Sequence, residues 1–146
     1  MKYNQLGKSG LLVSELCFGT MSFGSSGYWS VVGSLDYKDS KRLVDIALDA
    51  GIIYFDSADV YSHGQSEEIL GKALKDKRNE VVIATKVRGR MSKEINNVGL
   101  SRKHIIESCD NSLRRLGTDY IDHYIVHSFD PITPLEETLS ALTDLV

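Results

Sequence analysis

The sequence predicts an α/β fold: the N-terminal half of an eight-stranded (β/α)8, or TIM, barrel. Four strand-like apolar runs alternate with four amphipathic helical patterns, and polar residues follow three consecutive runs at their carboxyl ends. Parallel strands joined by helices build such barrels, and barrel enzymes carry their functional groups at the carboxyl ends of several strands. A complete barrel needs eight strands and about 250 residues. We therefore interpret residues 1–146 as one truncated half-barrel domain without an internal boundary.

Composition excludes several classes of protein. The chain is 42% hydrophobic and 25% charged, with a net charge of −3, so a broad basic face for nucleic acid is not expected. No apolar run reaches the ~18 to 20 residues that span a bilayer, and the first ten residues lack the apolar core of a signal peptide. These features predict a cytoplasmic protein without a membrane or nucleic-acid partner. Cys17 and Cys109 have neither metal-ligand spacing nor a redox motif, and we expect two buried thiols.

The elements follow from periodicity and from helix-start signals. A short hairpin is predicted over residues 1–16, and a long Gly/Ser-rich loop over 22–38 separates the first strand from the first helix. The strands are expected at 16–21, 52–55, 81–85 and 120–126. The expected helix caps are Asp39 or Ser40, then Ser66, Ser101 and Thr133 with Pro134 at the first helical position.

A doubly wound nucleotide-binding sheet is the competing architecture. Its phosphate loop is a G-x-G-x-x-G turn placed directly between the first strand and a helix. Here the first strand is followed by Gly19-Thr20-Met21-Ser22-Phe23-Gly24 and a long loop, so that turn is absent. Functional groups at the ends of several strands favour the barrel.

Four polar residues at the strand ends form one candidate active site: Asp56, Tyr61, Lys86 and His127. A phenol gives up its proton readily only near about pH 10, unless a neighbouring charge stabilises its anion. Lys86 can supply that charge, and Asp56 can hold the lysine in place. A neutral His127 can orient and polarise a carbonyl oxygen beside Tyr61. Such a set delivers a proton to a carbonyl, while the hydride must come from a cofactor.

The chain closely resembles the N-terminal half of the aldo-keto reductase family. The resemblance is carried by LGKSGLLVSELCFGTM at 6–21, FDSADVYSHGQSE at 55–67, ATKV at 84–87, GLSRKHI at 99–105 and YIDHYIVH at 120–127. The pattern is most similar to bacterial members and to the potassium-channel beta subunits.

The resemblance implies NADPH as the hydride donor and an aldehyde or ketone as the substrate. It implies Tyr61 as the general acid, Lys86 and Asp56 as its tuning pair, and His127 as the residue that orients the carbonyl. Gly19, Thr20 and Met21, together with Asp56, match positions beside the nicotinamide. The Tyr28-Trp29 pair is either a substrate wall or loop packing, and the choices of substrate and of NADPH over NADH stay open.

Departures from the family pattern also carry expectations. Ser57 replaces a threonine, and His123 and Ile125 replace a leucine and a glutamine. By strand parity His123 faces the barrel interior, where an unpaired imidazole would cost roughly 1 to 3 kcal/mol. We therefore expect a hydrogen-bond partner such as Tyr54 or a water.

The length of the chain predicts weak function in isolation. In the family, the loops after the later strands hold the cofactor's phosphates, so we expect these 146 residues to bind NADPH weakly or to be inactive alone. Open strand edges favour self-association. The alternative is a non-catalytic interaction or regulatory module that resembles the channel beta subunits.

Overall fold

A computed structural model describes all residues, 1–146. The chain begins with an antiparallel hairpin and continues as four parallel strands, each followed by a helix. The elements are β1 Tyr3–Gln5, β2 Leu12–Ser14, β3 Cys17–Gly19, α1 Tyr37–Asp49, β4 Tyr54–Asp56, α2 Gln65–Leu74, β5 Val82–Val87, α3 Arg102–Leu116, β6 His123–Val126 and α4 Leu135–Asp144. Short 3-10 turns cover Gly27–Val31, Tyr61–Gly64 and Lys75–Glu80. No helix is both long enough and apolar enough to cross a membrane.

The parallel sheet has the order β3-β4-β5-β6, in which each strand pairs with the next one along the chain. Its register places Gly19, Asp56, Ala84 and His123 in one row across all four strands. Because side chains alternate between the faces of a strand, residues of this row point to the same side. The register therefore brings the carboxyl ends of the strands to one edge, where the candidate site lies.

The main core fills the space between the sheet and the helices α1, α2 and α3. Phe55, Ile83, Leu70 and Leu74 are almost fully buried there and pack in one cluster with Val44. A second, smaller cluster joins the end of β5 to α3 and α4. The helices cover one face of the sheet, and Asp56 and Lys86 lie on the opposite face.

The helix starts differ in part from the sequence prediction. Ser101 caps α3 through a hydrogen bond from the amide of His104, as expected. The cap of α1 is Asp36, which accepts from the amide of Asp39, so the predicted Asp39 or Ser40 cap was wrong. The local pattern could not separate these polar residues, because three of them lie within five positions.

Two other predicted caps are also corrected. Helix α2 begins after Gly64, and Ser66 lies inside its first turn with a fully buried hydroxyl. Helix α4 begins after Pro134, while the hydroxyl of Thr133 donates to the carboxylate of Asp130 instead of capping the helix. The hydroxyl of Ser66 bonds instead to the distant Thr20, and that of Thr133 to the nearby Asp130, so neither caps its helix.

Only one of the two thiols is buried. Cys109 is buried in α3, as predicted, whereas Cys17 is exposed, so that part of the prediction was wrong. Cys17 lies on β3 in the register position beside Tyr54, on the face of the sheet that the helices do not cover. The location on the uncovered face accounts for the exposure.

Candidate active site

Lys86, in β5, lies at the centre of the candidate site. Its ammonium donates to Asp56 Oδ2 at 2.5 Å, to the carbonyl of Ser57 at 2.7 Å and to the hydroxyl of Tyr61 at 3.4 Å. The side chains of Lys86 and Asp56 are 12% and 27% exposed. The three acceptors use all three ammonium protons, so the lysine charge is fixed beside the phenol.

Tyr61 is held by a turn with unusual backbone angles. The two residues that follow it, Ser62 and His63, have φ of 50° and 53°, a region that side chains with a Cβ seldom occupy. The hydroxyl of Ser62 donates to the carbonyl of Phe23, which fixes the turn against the loop after β3. Gly24 permits this approach, because a Cβ there would lie 2.9 Å from the Cβ of Ser62. Strained turns of this kind persist where packing enforces them, often at functional sites.

His127 follows the last residue of β6 and lies beside the Tyr61 ring. Its amide donates to the carbonyl of Val87 at 3.0 Å, and its ring meets the Tyr61 ring edge-on with a centroid distance of 5.7 Å. Burial is the main cause that lowers the pKa of His127, and the ammonium of Lys86 lowers it further. The imidazole is therefore neutral at neutral pH, so it can donate a hydrogen bond without adding positive charge.

The Tyr28-Trp29 pair borders the same opening. The Trp29 ring packs against the Tyr61 ring at a centroid distance of 5.3 Å, and Tyr28 packs edge-on against Trp29. Tyr28 is 77% exposed and Trp29 is partly buried. Both rings are thus available to a molecule that reaches Tyr61.

A buried hydroxyl network lies behind the mouth, the opening bordered by Asp56, Tyr61, Lys86 and His127, and local sequence patterns did not indicate this network. Ser66 Oγ donates to the carbonyl of Thr20 at 2.8 Å and lies 2.8 Å from Thr20 Oγ1 and 3.0 Å from Ser57 Oγ. Thr20 also donates to the carbonyl of Asp56. These bonds tie the ends of β3 and β4 to the start of α2.

The residues predicted to lie beside a cofactor have different surroundings. Gly19 faces open space, with no atom within 4 Å of where a Cβ would be, and Met21 is 46% exposed. Thr20 has no exposed surface, so it can position its neighbours but cannot offer its side chain to a ligand. Gly19 pairs directly with Asp56 in the sheet, so the open space in front of Gly19 lies beside the carboxylate that holds Lys86.

His123 is hydrogen-bonded to Tyr54, the partner that the sequence predicted. Its Nδ1 lies 2.7 Å from the hydroxyl of Tyr54, and the two rings are stacked at a centroid distance of 6.3 Å. His123 shares the register row of Asp56, and the pair lies on the same face of the sheet as Asp56 and Lys86. The expectation of a satisfied imidazole is confirmed.

The fold is thus half of an α/β barrel, and it presents a phenol, an ammonium, a carboxylate and a neutral imidazole at one mouth. The family model of the aldo/keto reductase family matches residues 15–146. The chain belongs to this family.

Individual relatives agree with this assignment. The chain is 42% identical to a "probable voltage-gated potassium channel subunit beta" of Oryza sativa subsp. japonica, over 97% of this chain and 42% of that protein. It is 43% identical to the versiconal hemiacetal acetate reductase of Aspergillus parasiticus, over 100% of this chain and 48% of that protein. Among solved structures, the holo form of an aldo-keto reductase from Bacillus halodurans matches with a TM-score of 0.86 and 41% identity, over 99% of this chain and 46% of that one. The chain therefore spans about half the length of the relatives it matches.

Proposed function

We propose that the site reduces aldehydes or ketones to alcohols with NADPH as the hydride donor and Tyr61 as the general acid. The observation that carries this proposal is the Lys86 ammonium, which touches the Tyr61 hydroxyl on one side and the Asp56 carboxylate on the other. A cation in contact with a phenol stabilises the phenolate that remains after the proton has left.

Each residue has a separate role in protonating the carbonyl. Tyr61 donates its hydroxyl proton to the carbonyl oxygen, and Lys86 stabilises the resulting phenolate. His127, neutral because its pKa is lowered by burial and by Lys86, donates a hydrogen bond that orients the same oxygen. Trp29 and Tyr28 form a wall beside Tyr61, where we place the rest of the substrate.

A nicotinamide cofactor fits the open side of this mouth. The space in front of Gly19, the exposed Met21 and the partly exposed Asp56 form an accessible surface next to the ammonium. Bound there, NADPH would supply the hydride that no side chain can provide. Because these residues would lie beside the nicotinamide end of the cofactor alone, we expect weak binding of NADPH by residues 1–146.

The test is turnover at high NADPH concentration with a generic aldehyde. We expect the chain to oxidise millimolar NADPH in the presence of 4-nitrobenzaldehyde, and Tyr61→Phe to lower the rate by about a hundredfold or more. Tyr37→Phe is the matched control, since the Tyr37 ring lies on α1 under the Lys72 ammonium and away from the mouth. Its rate should equal that of the wild type.

Two results would contradict the proposal. One is equal turnover by wild type and Tyr61→Phe, which would remove the role of the phenol. The other is the absence of turnover although fluorescence titration shows that the chain binds NADPH.

A non-catalytic interaction module is the second candidate, because three of the relatives are named as potassium-channel beta subunits. Such a module could associate through the uncovered face of the sheet or its open strand edges. Retained NADPH binding without turnover, together with self-association in sedimentation, would favour this role over catalysis.

A further inference from the structure

Arg88 stands beside the reactive residues and has no role in the site described above. It follows the last residue of β5, and the carbonyl just before it, that of Val87, accepts the amide of His127. Its own carbonyl accepts the amide of Gly99 at 2.9 Å. The backbone around Arg88 is therefore held on one side by His127 and on the other by Gly99, in the loop after β5.

The backbone at this point is held in a conformation that an arginine rarely adopts. Arg88 has a φ of 145°, and the next residue must be glycine, since a Cβ at Gly89 would lie 1.9 Å from the side chain of Val60. The turn thus fixes the arginine beside the mouth by packing against the Tyr61 loop.

The guanidinium has no counter-ion within the chain. Its Nε is buried without a hydrogen-bond partner, and the ion pairs of the chain do not include it. Asp130 is the nearby carboxylate, but its oxygens accept from Leu100, Ile132 and Thr133. A partly buried cation with no acceptor is unusual, because guanidinium groups are ordinarily paired with carboxylates or phosphates.

A cavity of about 290 Å³ lies beside this arginine. It is lined by the loop after β5 and the loop after β6, including Arg88, Asn96, Gly99, Ser101, Asp130 and Thr133. Asp130 joins the two loops through its bonds to Leu100 and Thr133, so the walls are fixed. The cavity is thus lined by the Arg88 cation, by neutral polar groups and by the Asp130 carboxylate, whose oxygens are already engaged by three donors within the chain.

We propose that Arg88 selects carbonyl substrates that carry a carboxylate. This inference rests on the proposed reductase function and adds its substrate class. The carbonyl lies at Tyr61 and His127, and the carboxylate accepts hydrogen bonds from the guanidinium at the cavity entrance. The charge of Arg88 also reaches His127, where it adds to burial and to Lys86 in lowering the pKa of the imidazole.

The experiment compares two substrates that differ only in charge, 4-carboxybenzaldehyde and methyl 4-formylbenzoate. The ratio of their kcat/KM values with NADPH is measured, and their Kd values are measured without cofactor by NMR titration. We expect the carboxylate to be preferred about ten- to hundredfold in both measurements, which is the contribution of a charged hydrogen bond. Arg88→Gln should abolish the preference, and Arg88→Lys should keep part of it.

Arg90→Gln is the matched control. It removes the same charge two residues along the same loop, where the guanidinium donates to the carbonyls of Ser92 and Glu94. The preference should survive this change. If Arg88→Gln does not fold, the comparison uses the other two variants. Arg88→Lys should reduce the preference for the carboxylate, whereas Arg90→Gln should leave it unchanged.

The outcomes separate the two proposals. Selective binding of the carboxylate that depends on Arg88, without turnover of either aldehyde by chains shown to bind NADPH, supports the Arg88 site and contradicts the reductase function. Equal binding of the two compounds, an equal effect of Arg90→Gln, or a change in pH profile with unchanged preference would overturn the Arg88 site.

Discussion

Two ion pairs of this chain differ in how fully their polar atoms are used. Glu67 in α2 is completely buried, and its two oxygens accept from Arg115 Nε at 2.6 Å and from the hydroxyl of Thr85 at 2.5 Å. Lys86 and Asp56 at the mouth are only partly buried, and the ammonium is shared with the reactive hydroxyl of Tyr61.

The difference separates a pair that joins elements from a pair that can act on a ligand. The buried pair connects α2, α3 and β5, and its partners leave Glu67 no surface for a further contact. The pair at the mouth keeps solvent access and contacts a group that can change its protonation state. We therefore expect the first to affect stability and the second to affect chemistry.

The largest effect should come from removal of the buried carboxylate. Glu67→Ala leaves the Arg115 guanidinium and the Thr85 hydroxyl without their acceptor, and the free energy of unfolding should fall by about 3 to 5 kcal/mol. Urea unfolding measures it, with Glu68→Ala as the control, since Glu68 is the next residue and is exposed. A loss below about 1 kcal/mol would show that the buried pair is not structural.

A change at the mouth should lower kcat strongly and stability only slightly. Lys86→Met removes the ammonium beside Tyr61, so kcat for aldehyde reduction should fall by about a hundredfold or more. The free energy of unfolding should change by only about 1 kcal/mol, since Asp56 can still reach water. Lys75→Met, at an exposed position after α2, serves as the control. A large loss of stability with retained kcat would erase the distinction between the two pairs.

A third carboxylate, Asp59, lies between the pairs and bonds to neither. It is fully buried, and neither side-chain oxygen has a partner. Burial, reinforced by the charge of Glu67, raises the pKa of Asp59 to about 7. Between its ordinary pKa and 7 the folded chain holds a proton that the unfolded chain has lost, so this group lowers stability as the pH rises.

Asp59→Asn should remove this dependence. The free energy of unfolding of the variant minus that of the wild type should be about 2 to 3 kcal/mol larger at pH 8 than at pH 5. Each pKa unit is worth about 1.4 kcal/mol. Urea unfolding of both chains at the two pH values gives this difference. The same difference at pH 5 and pH 8 would mean that Asp59 does not titrate in the folded state in this range.

Much of this arrangement could be predicted from the sequence, because parallel strands end at one edge. Asp56, Lys86 and His127 end consecutive strands, so alternation and strand order were enough to place them together. The contact between His123 and Tyr54 followed from the same alternation. These are regular features, and their spacing in the chain reflects their spacing in the fold.

Other features could not be read from local patterns. Ser66 has the appearance of a helix cap, yet its hydroxyl bonds to Thr20, 46 positions earlier in the chain. Glu67 matched a favourable position in the first turn of a helix, and no neighbouring residue in the sequence indicated Arg115 as its partner. Small polar residues fit several local roles equally well, and only the packing of distant elements selects one.

The order of the strands also has a consequence for how the mouth forms during folding. Residue 19 pairs with 56, 56 is opposite 84, and 84 is opposite 123, so the site draws on segments spread over most of the chain. Contacts between distant segments form slowly, since each requires a long loop to close first. No single strand-helix unit contains the whole set. A folding intermediate with only two adjacent strands paired would therefore lack part of the site.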